Sequence, residues 1–127
     1  MAYHVAATTP IQHGVVFIYD PTMIVDVPPD TSATAILSTA DCISLWTVHD
    51  IDGPTNLVLT NRYDGDDCRL VFSGLLITDG GRLAFNNSSG EAILEIETGS
   101  DAAEVAIYVN DPEEPSKVVC AAMPKSP

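Results

Sequence analysis

Between Glu91 and Glu114 the chain carries eight acidic residues and no lysine or arginine, its densest run of side chains able to do chemistry. Carboxylates this close together either hold cationic groups or form a solvated negative edge that discourages strand-to-strand aggregation. Their spacing narrows the choice. Leu94 and Ile96, and then Val105, Ile107 and Val109, alternate as the buried side of two strands. That parity turns Glu95, Glu97, Glu104 and Tyr108 outward. Read as a hairpin across 98–101, strands 92–97 and 104–109 place Glu104 opposite Glu95 or Glu97. Like charges facing each other cost up to ~1 kcal/mol, and Lys117 is the one base near enough in sequence to relieve them. With Asp111, Glu113 and Glu114 in the following loop, these residues form a candidate surface for a basic protein partner, of the kind an inhibitor presents to a cationic cleft.

Other constellations are weaker. Asp50 and Asp52, and Asp64, Asp66 and Asp67, sit in two turn-like segments. Calcium takes six to eight oxygens, so facing aspartate loops would be needed to enclose it. If 56–61 is one strand, the two loops lie at its opposite ends, about 20 Å apart. Neither has the twelve-residue calcium pattern with its closing glutamate, so both read as turns and no metal is assigned. His4, His13 and His49 show no metal-ligand spacing. Asp50 or Asp52 could orient His49, and Ser44, Ser73 or a cysteine could supply a nucleophile, but no G-x-S-x-G elbow is present and no spacing brings these groups together. Gly80-Gly81 belongs to a turn and opens no helix, so no phosphate loop or cofactor site is expected.

Cys42, Cys68 and Cys120 are an odd number without C-x-x-C spacing, and each lies in an apolar run. All three are expected to be buried, reduced and slow to react. Trp46 reads first as a core residue, and second as a platform for a carbohydrate or another ligand. The sequons at Asn86 and Asn87 read as a polar turn.

Composition sets the frame for these residues. Eighteen acids against five bases give a net charge of −13 over 127 residues. Nucleic-acid binding needs lysine and arginine at the phosphates, and Arg62, Arg69, Arg82, Lys117 and Lys125 are scattered, so neither nucleic acid nor an anionic membrane is an expected partner. No apolar run approaches the ~20 residues that span a bilayer, and no basic segment leads into an apolar one near Met1. A soluble, cytoplasmic protein is the expectation.

Short apolar runs punctuated by Gly, Pro, Asn and Asp predict strands over 14–19, 22–27, 33–37, 42–49, 56–61, 68–73, 75–78, 82–85, 92–97, 104–109 and 117–123. Asp79-Gly80-Gly81 marks the clearest hairpin, and Gly74 a bulge. Residues 1–127 are thus expected to form one all-β domain, a two-layer antiparallel sandwich of about nine short strands, with a closed barrel as second choice. Ile18, Leu45, Leu59, Leu70, Phe72, Ile96 and Ile107 are the expected core. The function that follows is non-enzymatic protein binding of inhibitor or immunity type. A small-molecule or carbohydrate-binding sandwich is the alternative, and an unrecognised hydrolase the third.

Overall fold

The computed structural model describes residues 3–28 and 36–124. Ten strands build the fold: β1 (His4–Thr9), β2 (Val15–Tyr19), β3 (Ile36–Ser38), β4 (Ile43–Trp46), β5 (Thr55–Thr60), β6 (Arg69–Ile77), β7 (Arg82–Asn86), β8 (Ala92–Glu97), β9 (Ala102–Val109) and β10 (Lys117–Pro124). They form two five-stranded sheets, ordered β1-β5-β10-β9-β6 and β3-β4-β2-β7-β8. The sandwich is the expected one and is not closed into a barrel. Among the described residues only single turns of 3-10 helix, Gln12–Gly14 and Asp50–Asp52, interrupt the strands. Every pairing is antiparallel except β5 with β10.

The core forms where the alternating apolar faces meet. Leu57, Leu59, Val105 and Ile107 from the first sheet pack with Val16, Ile18, Ile43, Leu45, Leu83 and Phe85 from the second. Each such burial contributes about 1.5–3 kcal/mol of transfer free energy. Strands β5 and β10 have neighbours on both sides, and their outer residues Val58 and Val119 are buried as well. This is why their sequences are apolar at successive positions rather than alternating.

Several expectations are corrected. Among the described residues the stretch 22–27 pairs with no strand, because Asp20 binds Thr22 through both its backbone N–H (2.8 Å) and its hydroxyl (2.7 Å) and turns the chain there. Strand β1 was not anticipated, since Val5 is its only large apolar residue and it lies at a sheet edge. Of the stretch 33–37, residues 33–35 lie outside the described residues and Ile36 opens β3. The two stretches 68–73 and 75–78 are a single strand, β6, and its register shifts between Leu70 and Phe72, not at Gly74. One extra residue there moves Leu70 to the outer face, opposite Tyr108 and 53% exposed, while Phe72 packs partly buried against the core. Asn86 is a fully buried strand residue whose side-chain amide donates to Phe17, Tyr19 and Ala84, and only Asn87 belongs to the turn.

Neither predicted hairpin exists. Segments 78–81 and 98–101 each carry the chain from one sheet to the other: β6 lies with β9, whereas β7 pairs with β8. The two crossings brace each other, with Thr98 N–H and Gly99 N–H donating to Gly81 O and Thr78 N–H to Asp101 O. Gly81 (φ 71°) and Gly99 (φ 66°) supply the left-handed backbone.

The thiols divide. Cys42 and Cys120 are fully buried, and Cys68 is only partly so; all three are free. Burial pushes the Cys42 thiol up to about 12, reinforced by the carboxylates of Asp41 and Asp26, and burial alone takes Cys120 to about 12. Cys68 is also raised by burial, while Tyr63 and Lys117 act the other way. In the native protein a thiol reagent is therefore expected to titrate Cys68 first, with Cys42 and Cys120 reacting only on unfolding in urea. Rapid reaction of all three in the native state would contradict these placements.

Candidate functional site

The structure separates the predicted acidic row. Glu95 and Glu97 stand on β8 at the edge of the second sheet, opposite Ala84 and Arg82. Glu104 and Tyr108 stand on β9 in the first sheet, with Glu104 between Leu75 of β6 and Met123 of β10. The outward parity is as expected, but Glu104 faces neither Glu95 nor Glu97. Nor does Lys117 neutralise the row. Arg82 pairs with the row's two members on β8: its Nε with Glu95, and its Nη1 with Glu97 at 3.1 Å. The signal for this was the five-residue N-S-S-G-E segment between β7 and β8, a hairpin loop whose Gly90 takes φ 81°.

Other acids are brought together instead. At one end of the sandwich the loops 10–14, 47–54 and 110–116 are tied by Thr47 N–H to Gly14 O (2.8 Å), Val48 N–H to Pro115 O (3.0 Å) and Asn56 N–H to Ser116 O (2.8 Å). The loops 47–54 and 110–116 carry Asp50, Asp52, Asp111, Glu113 and Glu114 and contain no lysine or arginine. Between Asp50 and Asp52, Ile51 is 84% exposed. Turn chemistry is the leading expectation for 50–52 from the sequence. The missed signal was a large apolar residue held between two aspartates.

The second feature is a crossover. Strands β5 and β6 run in the same direction with β10 and β9 between them, so residues 61–68 pass over the outer face of the first sheet. The loop is pinned there by Tyr63, whose ring lies 4.7 Å from that of Tyr108, and by Asp67, which accepts from the Tyr63 hydroxyl and from Lys117 Nζ (2.6 Å). The hydrogen bond from Lys117, followed by that from Tyr63, holds the Asp67 carboxyl below its ordinary value. Asp67 thus returns to Lys117, which faces Asn56 at the start of β5, and the expected separation of the two aspartate loops by a strand length does not hold for it. Asp64 is paired with Arg62 at 2.8 Å. Beside the crossover, the row Ser73–Ala106–Ala121 forms a dent in the sheet, part of a cleft of about 300 Å³.

Trp46 is not a core residue. It is half-buried on the outer face of the second sheet, opposite Val15. Ser44 and Ser73 lie on different sheets, and His49 Nδ1 lies 2.6 Å from Asp50 in the loop after β4.

The fold and charge define a class: an acidic two-sheet β-sandwich with five carboxylates, Asp50, Asp52, Asp111, Glu113 and Glu114, on the loops at one end. No family model matches the sequence, and no curated protein matches it. Among solved structures the chain is similar to ComJ, the inhibitor of the DNA-degrading activity of NucA, from Bacillus subtilis. The likeness covers 98% of this chain and 99% of that one, with a TM-score of 0.65 at 8% identity. It is a likeness of fold, without residue correspondence.

Proposed function

We propose that this chain is a protein inhibitor that binds a basic partner, and that the partner is a nuclease. The observation that carries this reading is the end-to-end fold likeness to a nuclease inhibitor, joined to a net charge of −13. An enzyme that degrades DNA must present cations to the phosphates. Carboxylates on a rigid sandwich can occupy those cations and keep the polyanion out, and the negative field speeds the encounter. Three of the described cations, Arg62, Arg82 and Lys117, are engaged by the protein's own carboxylates, which leaves the remaining acids to set the surface potential. Asp52, Asp111, Glu113 and Glu114 supply the charge at the loop end, and Ile51 a central apolar contact.

The purified protein, titrated against NucA and against nucleases encoded in its source genome, is expected to stop plasmid degradation by one of them near one molar equivalent. High salt should weaken the effect. Undiminished degradation by all of them at a large molar excess would refute the reading.

A further inference from the structure

We infer that the dent on the outer face of the first sheet is a pocket for one long basic side chain, arginine or lysine, projected by a protein partner. This deepens the proposed function and rests on it for the partner's basic character. Three rows of the sheet shape the pocket. Its floor is Ser73, Ala106 and Ala121, opposite one another on β6, β9 and β10. Larger residues flank the floor along the strands, Leu75, Glu104 and Met123 on one side and Leu70, Tyr108 and Val119 on the other. Three small residues between two rows of large ones make a depression, and the register shift between Leu70 and Phe72 sets Leu70 in its flanking row. The crossover loop then walls it, through Tyr63 against Tyr108.

The volume, about 300 Å³, lies at the bottom of the range of small-molecule sites, which suits a single side chain. Chemistry selects which one. Glu104 is exposed on the rim, and among the described residues no cation pairs with it. Arg62, which also lines the cleft, is already engaged by Asp64. Leu75, 48% exposed, and Met123, 55% exposed, lie directly beside Glu104. A carboxylate bordered by apolar side chains matches a cation on an aliphatic stem: the stem lies on Ala106 and Ala121, and the head reaches Glu104. The exposed Leu70 and Ile77 extend the same apolar border along β6, where flanking apolar residues of the partner would rest.

The probe is the peptide acetyl-leucyl-arginyl-leucine amide, followed by amide chemical shifts in the intact protein. Shifts are expected at Glu104, Ala106 and Ala121, with the glutamyl version of the peptide giving none. Glu104→Gln should weaken binding about tenfold, as loss of a charge-assisted hydrogen bond predicts. Ala106→Leu, which fills the floor from the outer face, should abolish it with the circular dichroism unchanged. Glu91→Gln, in the exposed loop between β7 and β8 of the second sheet, should have no effect. Shifts confined to loops 47–54 and 110–116, equal affinity in Glu104→Gln, or no shifts at the highest soluble peptide concentration would overturn the inference. Because no nuclease is present, the pocket can fail while nuclease inhibition stands, and the reverse.

Discussion

Replacing Asp20 by alanine is expected to cost about 3–4 kcal/mol of stability and to lower the melting temperature by on the order of 10 °C. Asp20 closes β2 and is fully buried. One carboxylate oxygen accepts from the backbone N–H and hydroxyl of Thr22, and the other from Arg82 N–H at 3.3 Å. Gly80 donates as well, and a methyl group at Gly80 would overlap Thr22 and crowd Asp20. A single carboxylate therefore ties the turn after β2 to the crossing between β6 and β7. Truncation takes the charged acceptor away from several donors at once, and each hydrogen bond to a charged group contributes about 1.5–3 kcal/mol before water replaces it. Burial by itself would raise this carboxyl, but the hydrogen bonds from Thr22, Arg82 and Gly80 prevail and hold it below the usual range. The folded state then binds fewer protons than the unfolded one around the ordinary aspartate value of about 3.9. Stability from Asp20 is present above that value and fades as pH falls through the depressed folded one. Urea melts at neutral and acid pH should therefore show a shallower acid limb for Asp20→Asn than for the natural protein. A loss below about 1 kcal/mol in Asp20→Ala would mean that the network is dispensable.

The second large effect is on association. Neutralising Asp52, Glu113 and Glu114 together removes three of the thirteen net negative charges, all from one end of the molecule. Asp111 is better left intact, because its side chain accepts from Glu113 N–H at 3.0 Å and shapes the loop. With the inhibited nuclease as partner, the triple variant is expected to associate about tenfold more slowly at low salt, with a flatter salt dependence. Dissociation should hardly change. Ile51→Ala should do the opposite, leaving association intact and speeding dissociation about tenfold, as loss of one buried apolar anchor implies. Stability should stay within about 0.5 kcal/mol in both variants, since these side chains are solvated. A stopped-flow comparison at two salt concentrations reads all of this. An unchanged association rate in the triple variant would remove the loop end from the interface.

The sequence by itself determined the all-β class, the two-layer architecture and most strand positions, because alternation of apolar residues is a local property. It also determined which side chains point outward. Glu95, Glu97, Glu104 and Tyr108 do so because Ile96, Val105, Ile107 and Val109 are buried beneath them. What it left open was the partner of each strand. An alternating strand followed by a glycine turn looks the same whether the chain folds back into its own sheet or crosses to the other. Segments 78–81 and 98–101 cross, and the consequences run through the whole site. Arg82 reaches Glu95 and Glu97, Glu104 is set between Leu75 and Met123, and the acidic row becomes two surfaces on two sheets. The loop end was likewise invisible, since 47–54 and 110–116 are joined by the backbone hydrogen bond from Val48 N–H to Pro115 O, between residues far apart in sequence. The dent is tertiary for the same reason. Ser73, Ala106 and Ala121 are unremarkable small residues until the β6–β9–β10 register lines them up, and that register depends on the extra residue between Leu70 and Phe72. Local alternation decides which face a side chain takes. Which other faces it meets is decided by the packing of the two sheets, where the buried apolar area of the entire core, not any one turn, selects the pairing.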